Sequence, residues 1–321
     1  MQRITEQTLQ EIEKRFKTER GYILSSDSPI YCPQVNGLTN ICLSELGLSN
    51  KSRENSQKFL ESASYNHTKG LFYREVDLEG RVVVPAFNTC KNSIFALSLA
   101  ANRLNEEAEK IMDSLKLPLY LKEQGLFGRE YNPETNEANP LIITQSNLWA
   151  ALAYIKVGRL KEAKDLIKNL ENKRYSQDCR LFDSQDCRGD SYQKRFFLDD
   201  QALGVLTYLE IGQEKKAKKL MQAILNSPLY DAKSDLFNSS FLDLDIDRTK
   251  STYKNSLMAF ALGRLGYNKQ LKRIQVGLVR ELYNPNERLF DQTTRDKTKV
   301  PDNSTLALVA IEYDNLKHKI F

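Results

Sequence analysis

Leu-Phe pairs stand at Leu71-Phe72, Leu126-Phe127, Leu181-Phe182, Leu236-Phe237 and Leu289-Phe290, separated by 55, 55, 55 and 53 residues. A chain that repeats itself at a fixed spacing of this size is assembled from copies of one supersecondary unit, each needing its neighbours to bury its apolar face. The unit is clearest from Gly125 to Leu170. There Asn147 is the predicted cap of a helix whose next residues, Leu148 to Val157, are apolar almost all round, so that helix belongs inside. Gly158 stops it. A second helix follows with Leu160, Ala163, Leu166, Ile167 and Leu170 on one stripe and charged residues elsewhere, which predicts a half-buried outer helix. One unit is therefore a connector, an inner helix and an outer helix.

The other copies repeat these signals. Predicted caps recur at Asn92, Asn147, Asp200, Asn255 and Asn303, and Gly158, Gly212 and Gly266 end three inner helices. The first helix, Ile4 to Thr18, carries the sparse stripe of an outer helix but has no inner helix before it. The last inner helix, Asn303 to Asn315, has no outer helix after it. Pairing these two ends closes the chain into six hairpins. The expected fold is thus all-α, an (α/α)6 toroid forming a single domain over residues 1–321, with short strand-like segments such as Arg81–Val84 on one face. An open superhelical solenoid is the competing expectation, but its common units run about 34 to 47 residues and lack long connectors. The first hairpin, expected at Asn40–Leu46 and Lys51–Ala63, matches the repeat worst.

Composition excludes several classes of function. The net charge of +5 is mild. Lys and Arg fall largely on outer helices such as Glu214–Lys219, without interleaved aromatic residues, so no nucleic-acid partner is expected. No long apolar run suits a membrane, and the amphipathic start is unlike a secretion leader, so the expected location is cytoplasmic. Five cysteines without a close CxxC pair predict reduced thiols. Cys32, Cys90, Cys179 and Cys187 lie toward one face but lack the paired spacing of a zinc site, and neither a metal nor another cofactor is expected. Asp243, Asp245 and Asp247 alternate on one face of an expected short strand. They mimic a calcium loop, yet Arg248 and Lys254 occupy the places of its glycine and its bidentate glutamate.

In a ring of hairpins every connector leads from an outer helix to an inner helix start, so the connectors share one mouth, and six helix N-termini point at it. Candidate catalytic residues follow from the acids expected there. Asp199 and Asp200 are adjacent carboxylates at the fourth inner helix start, suited to a base or nucleophile. Glu75 and Glu130 follow Arg74 and Arg129 at equivalent places after Phe72 and Phe127, and suit a general acid. The competing structural readings are an Asp cap with a solvated neighbour and two salt bridges between connectors. Substrate-binding candidates are Arg74, Arg129, Tyr131, Asn88, Gln145, Tyr192 and Asp302, the last holding the same place relative to its predicted cap as Asp199.

Six apolar-inner, amphipathic-outer hairpins, with connectors ending in segments such as Leu198-Asp199-Asp200-Gln201-Ala202, resemble the six-hairpin glycosidase-like superfamily. That group holds glycoside hydrolases, unsaturated glucuronyl hydrolases and sugar 2-epimerases, so the resemblance implies a small-molecule sugar or oligosaccharide in the mouth. The leading expectation is a carboxylate-dependent glycoside hydrolase. The alternatives are a sugar epimerase or isomerase, and a non-catalytic toroid binding a glycan, peptide or partner protein. The epimerases use a pair of histidines, whereas this chain has only His67 and His318, expected far apart. Trp149 is the one tryptophan and lies inside an inner helix, leaving Tyr73, Tyr131, Tyr192 and Tyr253 as candidate stacking platforms.

Overall fold

Helices that are apolar all round must sit at the centre, and six of them do. The computed structural model describes residues 2–26, 28–185, 194–243 and 245–316. The inner helices are α2 (Pro33–Glu45), α4 (Thr89–Ala101), α6 (Thr144–Lys156), α8 (Leu198–Glu210), α10 (Thr252–Arg264) and α12 (Pro301–Ile311). Each packs on the next, and α12 packs on α2, so the ring closes. Outside lie α1 (Gln2–Phe16), α3 (Ser49–Leu60), α5 (Asn105–Leu119), α7 (Leu160–Arg174), α9 (Glu214–Leu225) and α11 (Asn268–Gly277). Their apolar stripes are buried as expected, for instance Ala163, Leu166, Ile167 and Leu170 on α7. No helix among the described residues is long and apolar enough to cross a membrane.

The chain ends meet. α1 packs on α12, Thr5 Oγ1 donates to Glu312 Oε1 at 3.1 Å, and Arg15 pairs with Glu287 at 3.2 Å. A small apolar cluster of Ile12, Phe16, Ile23, Cys32, Val35 and Leu289 seals this seam.

The role expected of the repeated asparagines is corrected. The inner helices begin two to three residues before Asn92, Asn147, Asp200, Asn255 and Asn303; their caps are Asn88, Ile143, Phe197, Ser251 and Val300. The repeated side chain instead grips the repeated Leu-Phe pair. Asn147 Oδ1 accepts from Phe127 N at 2.8 Å, and its Nδ2 donates to Phe127 O and Ile143 O, both at 3.0 Å. Asn92 holds Phe72 in this way and Asn255 holds Phe237. In the fourth hairpin the clamp is Gln201, not Asp200: it binds Phe182 N at 2.8 Å and Phe182 O at 2.7 Å. Asn36 grips Ile23, and Ser304 accepts from Phe290 N at 3.1 Å. All six clamps are buried. The two sequence repeats are thus the two halves of one contact, which docks each connector on its inner helix.

A second contact ties neighbours around the ring. Thr89 Oγ1 donates to Gly128 O and Thr144 Oγ1 to Asp183 O, each at 2.6 Å, and Thr252 Oγ1 to Asp291 O. These threonines are the first helical residues, a place held by Pro33 and Pro301 in the hairpins flanking the seam. Proline fits a first helical turn because its φ is already helical and its missing N–H has no partner to lose. The first inner helix accordingly starts at Pro33, well before the expected Asn40, and its outer partner runs Ser49–Leu60.

The connectors form small antiparallel sheets; the strand Leu71–Asp77 pairs with Val82–Asn88, which takes in all of the expected Arg81–Val84 segment but Arg81. Asp243, Asp245 and Asp247 do not share one strand. Ser240–Leu242 and Asp245–Asp247 are the two arms of a hairpin, and Asp243 sits between them at φ +50°. The extended alternation misread this because an aspartate tolerates the left-handed turn better than most residues.

Gly158, Gly212 and Gly266 follow their inner helices in the left-handed region, at φ +82°, +78° and +76°, as expected. Arg103 holds the matching place in the second hairpin at φ +62°, with an exposed side chain. A non-glycine residue there costs roughly 1 kcal/mol. Arg103→Gly should therefore raise the urea midpoint by the equivalent of several tenths to about 1 kcal/mol, whereas Arg103→Ala should give no such gain.

Candidate active site

Aligning the inner helices on their clamps exposes the site. The residues two before each clamp are Gln34, Cys90, Gln145, Asp199, Tyr253 and Asp302, and every one lines a cavity at the connector end of the ring. Each comes from the first turn of its helix, so a rosette of six side chains surrounds the axis. The next position adds Lys91, Ser146, Asp200 and Lys254 to one lobe of the cavity, of about 530 Å³. Val35 and Asn303, with Lys91 and Lys254 again, line a second lobe of about 570 Å³. Gln34, Lys91, Gln145, Asp199 and Lys254 border both lobes, so the two are continuous across Asp199. This is the size range of small-ligand sites.

Asp199 is equipped to carry charge. Lys254 Nζ lies 3.1 Å from its Oδ1, and Gln145 Nε2 donates to its Oδ2 at 2.9 Å. Gln145 Nε2 also donates to the Tyr253 hydroxyl at 3.1 Å, and Trp149 Nε1 donates to the same oxygen at 3.3 Å. Lys254 in turn donates to Ser239 O at 3.3 Å and stands 4.5 Å from the centre of the Phe197 ring.

Asp200 is in the opposite condition. It is 2% exposed, accepts from Ser184 Oγ on Oδ2, and its Oδ1 has no hydrogen-bond partner among the described residues. Burial raises its pKa well above the usual carboxylate range, and the charge of Asp199 adds to the rise. Two neighbouring carboxylates thus meet different surroundings, one beside a cation and one beside a hydroxyl in a dry wall.

Asp302 stands in the second lobe, 2% exposed, and burial lifts its pKa to about 6 against hydrogen bonds from Asn303 N and the Gln34 side chain. A pKa raised in the fold means that the folded state holds the proton more tightly than the unfolded chain. The resulting stability is complete below the unfolded value near 3.8 and is lost as pH rises to about 6. At about 1.4 kcal/mol per unit the loss is roughly 3 kcal/mol. Asp302→Asn does not titrate. Its unfolding free energy relative to wild type should therefore rise by up to that amount between pH 4 and pH 6 and then level off, as read by urea titrations across the range.

The other expected site residues divide. Arg74, Arg129, Asn88 and Gln145 line the first lobe and Glu75 the second. Asn88 also caps α4, accepting from Lys91 N at 3.1 Å. Arg74 binds Glu75 at 3.3 Å and Glu130 at 3.2 Å, and Lys91 binds Glu75 at 3.3 Å. Of the two expected Arg-Glu pairs, Arg74 thus takes both glutamates and Arg129 takes neither, and Glu130 does not border either lobe. Tyr131 donates to Asn136 Oδ1 at 2.7 Å and borders a separate groove beside Leu117 and Pro118. Tyr73 packs on Phe87, 5.2 Å between ring centres, and Tyr253 belongs to α10, not to a connector. Tyr192, Cys187 and His318 lie outside the described residues. His67 is exposed and meets Tyr65 edge-on, away from the cavity. Cys32, Cys42, Cys90 and Cys179 are free thiols.

Lys91, Lys254, Gln34 and Ser184 were not anticipated from the sequence. The first three become visible once Gln201 replaces Asp200 in the repeat alignment. Ser184 lies beyond that register, in a connector, and nothing in the sequence marks it.

No family model and no curated protein matches this sequence. Solved structures do. A D-mannose isomerase superposes with a TM-score of 0.79 over 98% of this chain and 97% of its own, at 12% identity. Cellobiose 2-epimerase from Bacillus thermoamylovorans gives 0.77 over 98% and 100%, at 12% identity. The fold they share with this chain is the (α/α)6 toroid. A family 76 glycoside hydrolase from a bovine Bacteroides thetaiotaomicron strain shares it at 0.66 over 97% of this chain and 77% of its own, at 13% identity. At such identities the likeness is one of fold, and chemistry must be argued from the rosette and its surroundings.

Proposed function

We propose that this toroid is a carbohydrate-active enzyme, a glycoside hydrolase in which Asp200 is the general acid and Asp199 the base or nucleophile. The observation that carries the reading is the adjacent pair itself. One carboxyl group lies in a dry wall where burial and its neighbour's charge raise its pKa, while the other has Lys254 at 3.1 Å, both on the border of one cavity. Neighbouring carboxyl groups set in unlike surroundings are one way an enzyme obtains an acid and a base at one site. As the glycosidic C–O bond breaks, Asp200 passes its proton to the leaving oxygen. Asp199 supplies the electron pair, to the anomeric carbon or through a water it deprotonates.

Glu75 and Glu130 suit the acid role less. Arg74 lies within 3.3 Å of both and ties them into a salt-bridge network, and Glu130 borders neither lobe. The test is incubation of the protein with oligosaccharides of defined linkage, reading new reducing ends. Cleavage of at least one linkage, lost in both Asp199→Asn and Asp200→Asn, is the expected result; cleavage that survives in both variants would remove the assignment.

A second reading, sugar epimerisation or isomerisation, is supported by the likeness to D-mannose isomerase and cellobiose 2-epimerase. The same pair would then move a proton at carbon. A reaction in D2O separates the two readings, because only the second places deuterium on a sugar carbon.

A further inference from the structure

The first lobe carries a positive charge that the protein leaves open. Four cations border it, Arg74, Lys91, Arg129 and Lys254. Three are answered: Arg74 by Glu75 and Glu130, Lys91 by Glu75, and Lys254 by Asp199. Arg129 has no acidic partner among the described residues. Its backbone is fixed all the same, donating to Asn139 O at 3.0 Å and accepting from Thr89 N at 3.0 Å, so the guanidinium stands on a rigid segment. Asp200, the remaining acid of this lobe, bonds Ser184 and makes no ion pair with Arg129. The second lobe has no such surplus: Lys91 and Lys254 there face Glu75, Asp199 and Asp302. Converging helix N-termini add to the positive potential of the first lobe.

From this imbalance we infer that the sugar occupying the first lobe bears an anionic group, a carboxylate or a phosphate monoester, which pairs with the Arg129 guanidinium. A guanidinium offers two parallel N–H donors that match either oxyanion, and such charge-assisted pairs are about twice as strong as neutral hydrogen bonds. The remainder of the substrate then crosses Asp199 into the second lobe, where acids outnumber cations, which sets its direction through the site. The inference rests on the reading of the cavity as a sugar site, but not on any turnover.

The test is calorimetric binding at constant ionic strength of matched pairs: glucose and glucuronate, galactose and galacturonate, mannose and mannose 6-phosphate, with inorganic phosphate alone as a further probe. At least one anionic sugar should bind about tenfold or more tightly than its neutral partner. The preference should drop below about twofold in Arg129→Gln and be partly kept in Arg129→Lys, which retains the charge without the fork. Preference for the uronates identifies a carboxylate; preference for mannose 6-phosphate together with binding of inorganic phosphate identifies a phosphate. Neutral sugars binding as tightly as every anionic partner, or an undiminished preference in Arg129→Gln, would overturn the inference. The wild-type comparison requires no variant to fold. Absence of glycan cleavage would refute hydrolysis and leave this binding result standing.

Discussion

Asp199→Asn should lower glycoside cleavage by about three orders of magnitude or more, with a thermal midpoint within a few degrees of wild type. The amide has the shape of the carboxylate and can still accept from Gln145, so packing is kept, but it cannot supply an electron pair. Lys254 loses its anion, yet it retains Ser239 O and the Phe197 face. Asp200→Asn should cost about 10²- to 10⁴-fold, the usual worth of a general acid. Its stability profile tells the two apart. The folded form favours protonated Asp200, so the stability drawn from this group is greatest below the unfolded value of 3.8 and drains away as pH rises above it. The asparagine variant escapes that loss and should gain on wild type with rising pH. A steady kcat in either variant, or an Asp200→Asn protein that gains no ground with pH, would contradict the assignment of roles.

Asn147→Ala should damage the fold severely. It removes three hydrogen bonds of 2.8 to 3.0 Å and strands the Phe127 N–H and C=O in a buried setting. Each buried polar group left without a partner costs about 1 to 3 kcal/mol, so a loss of about 3 kcal/mol or more in unfolding free energy is expected by urea denaturation. Asn147→Asp keeps the acceptor for Phe127 N but loses both donors and buries a charge, and should be no better. Asn147→Gln tests the geometry, because Gln201 performs the same task in the fourth hairpin with a one-residue adjustment of the connector. A change of less than 1 kcal/mol in Asn147→Ala would mean that the clamp holds nothing the rest of the connector does not.

The architecture was readable because repetition amplifies weak signals. One Leu-Phe pair means little, whereas five at near-constant spacing fix the unit, and the unmatched first and last helices then dictate closure. Helix starts were less readable. An asparagine before an apolar run looks like a cap, and only the distant Phe127 backbone reveals that Asn147 is bonded across twenty residues of sequence to a connector. Tertiary contact overrode the local signal. The site suffered from the same error: taking Asp200 as the repeat of Asn147 hid the fact that Asp199 and Asp302 have counterparts in every inner helix. Asp199, Asp200 and Arg129 are still legible as lining the cavity, because acids and cations at a shared mouth attract notice on their own. Gln34 and Lys91 did not stand out, being ordinary polar residues until their register is known.

Two residues along an α-helix turn the side chain by roughly 200°, to nearly the opposite flank. The clamp therefore looks outward to its connector while the rosette residue looks to the axis, although they are near neighbours in sequence. Structural duty and chemical duty are insulated from each other at every spoke of the wheel. A chain built this way can exchange one axial side chain after another, a cysteine here, a tyrosine or an aspartate there, without loosening a single docking contact. Its present set is one combination from a large repertoire that the same frame can carry.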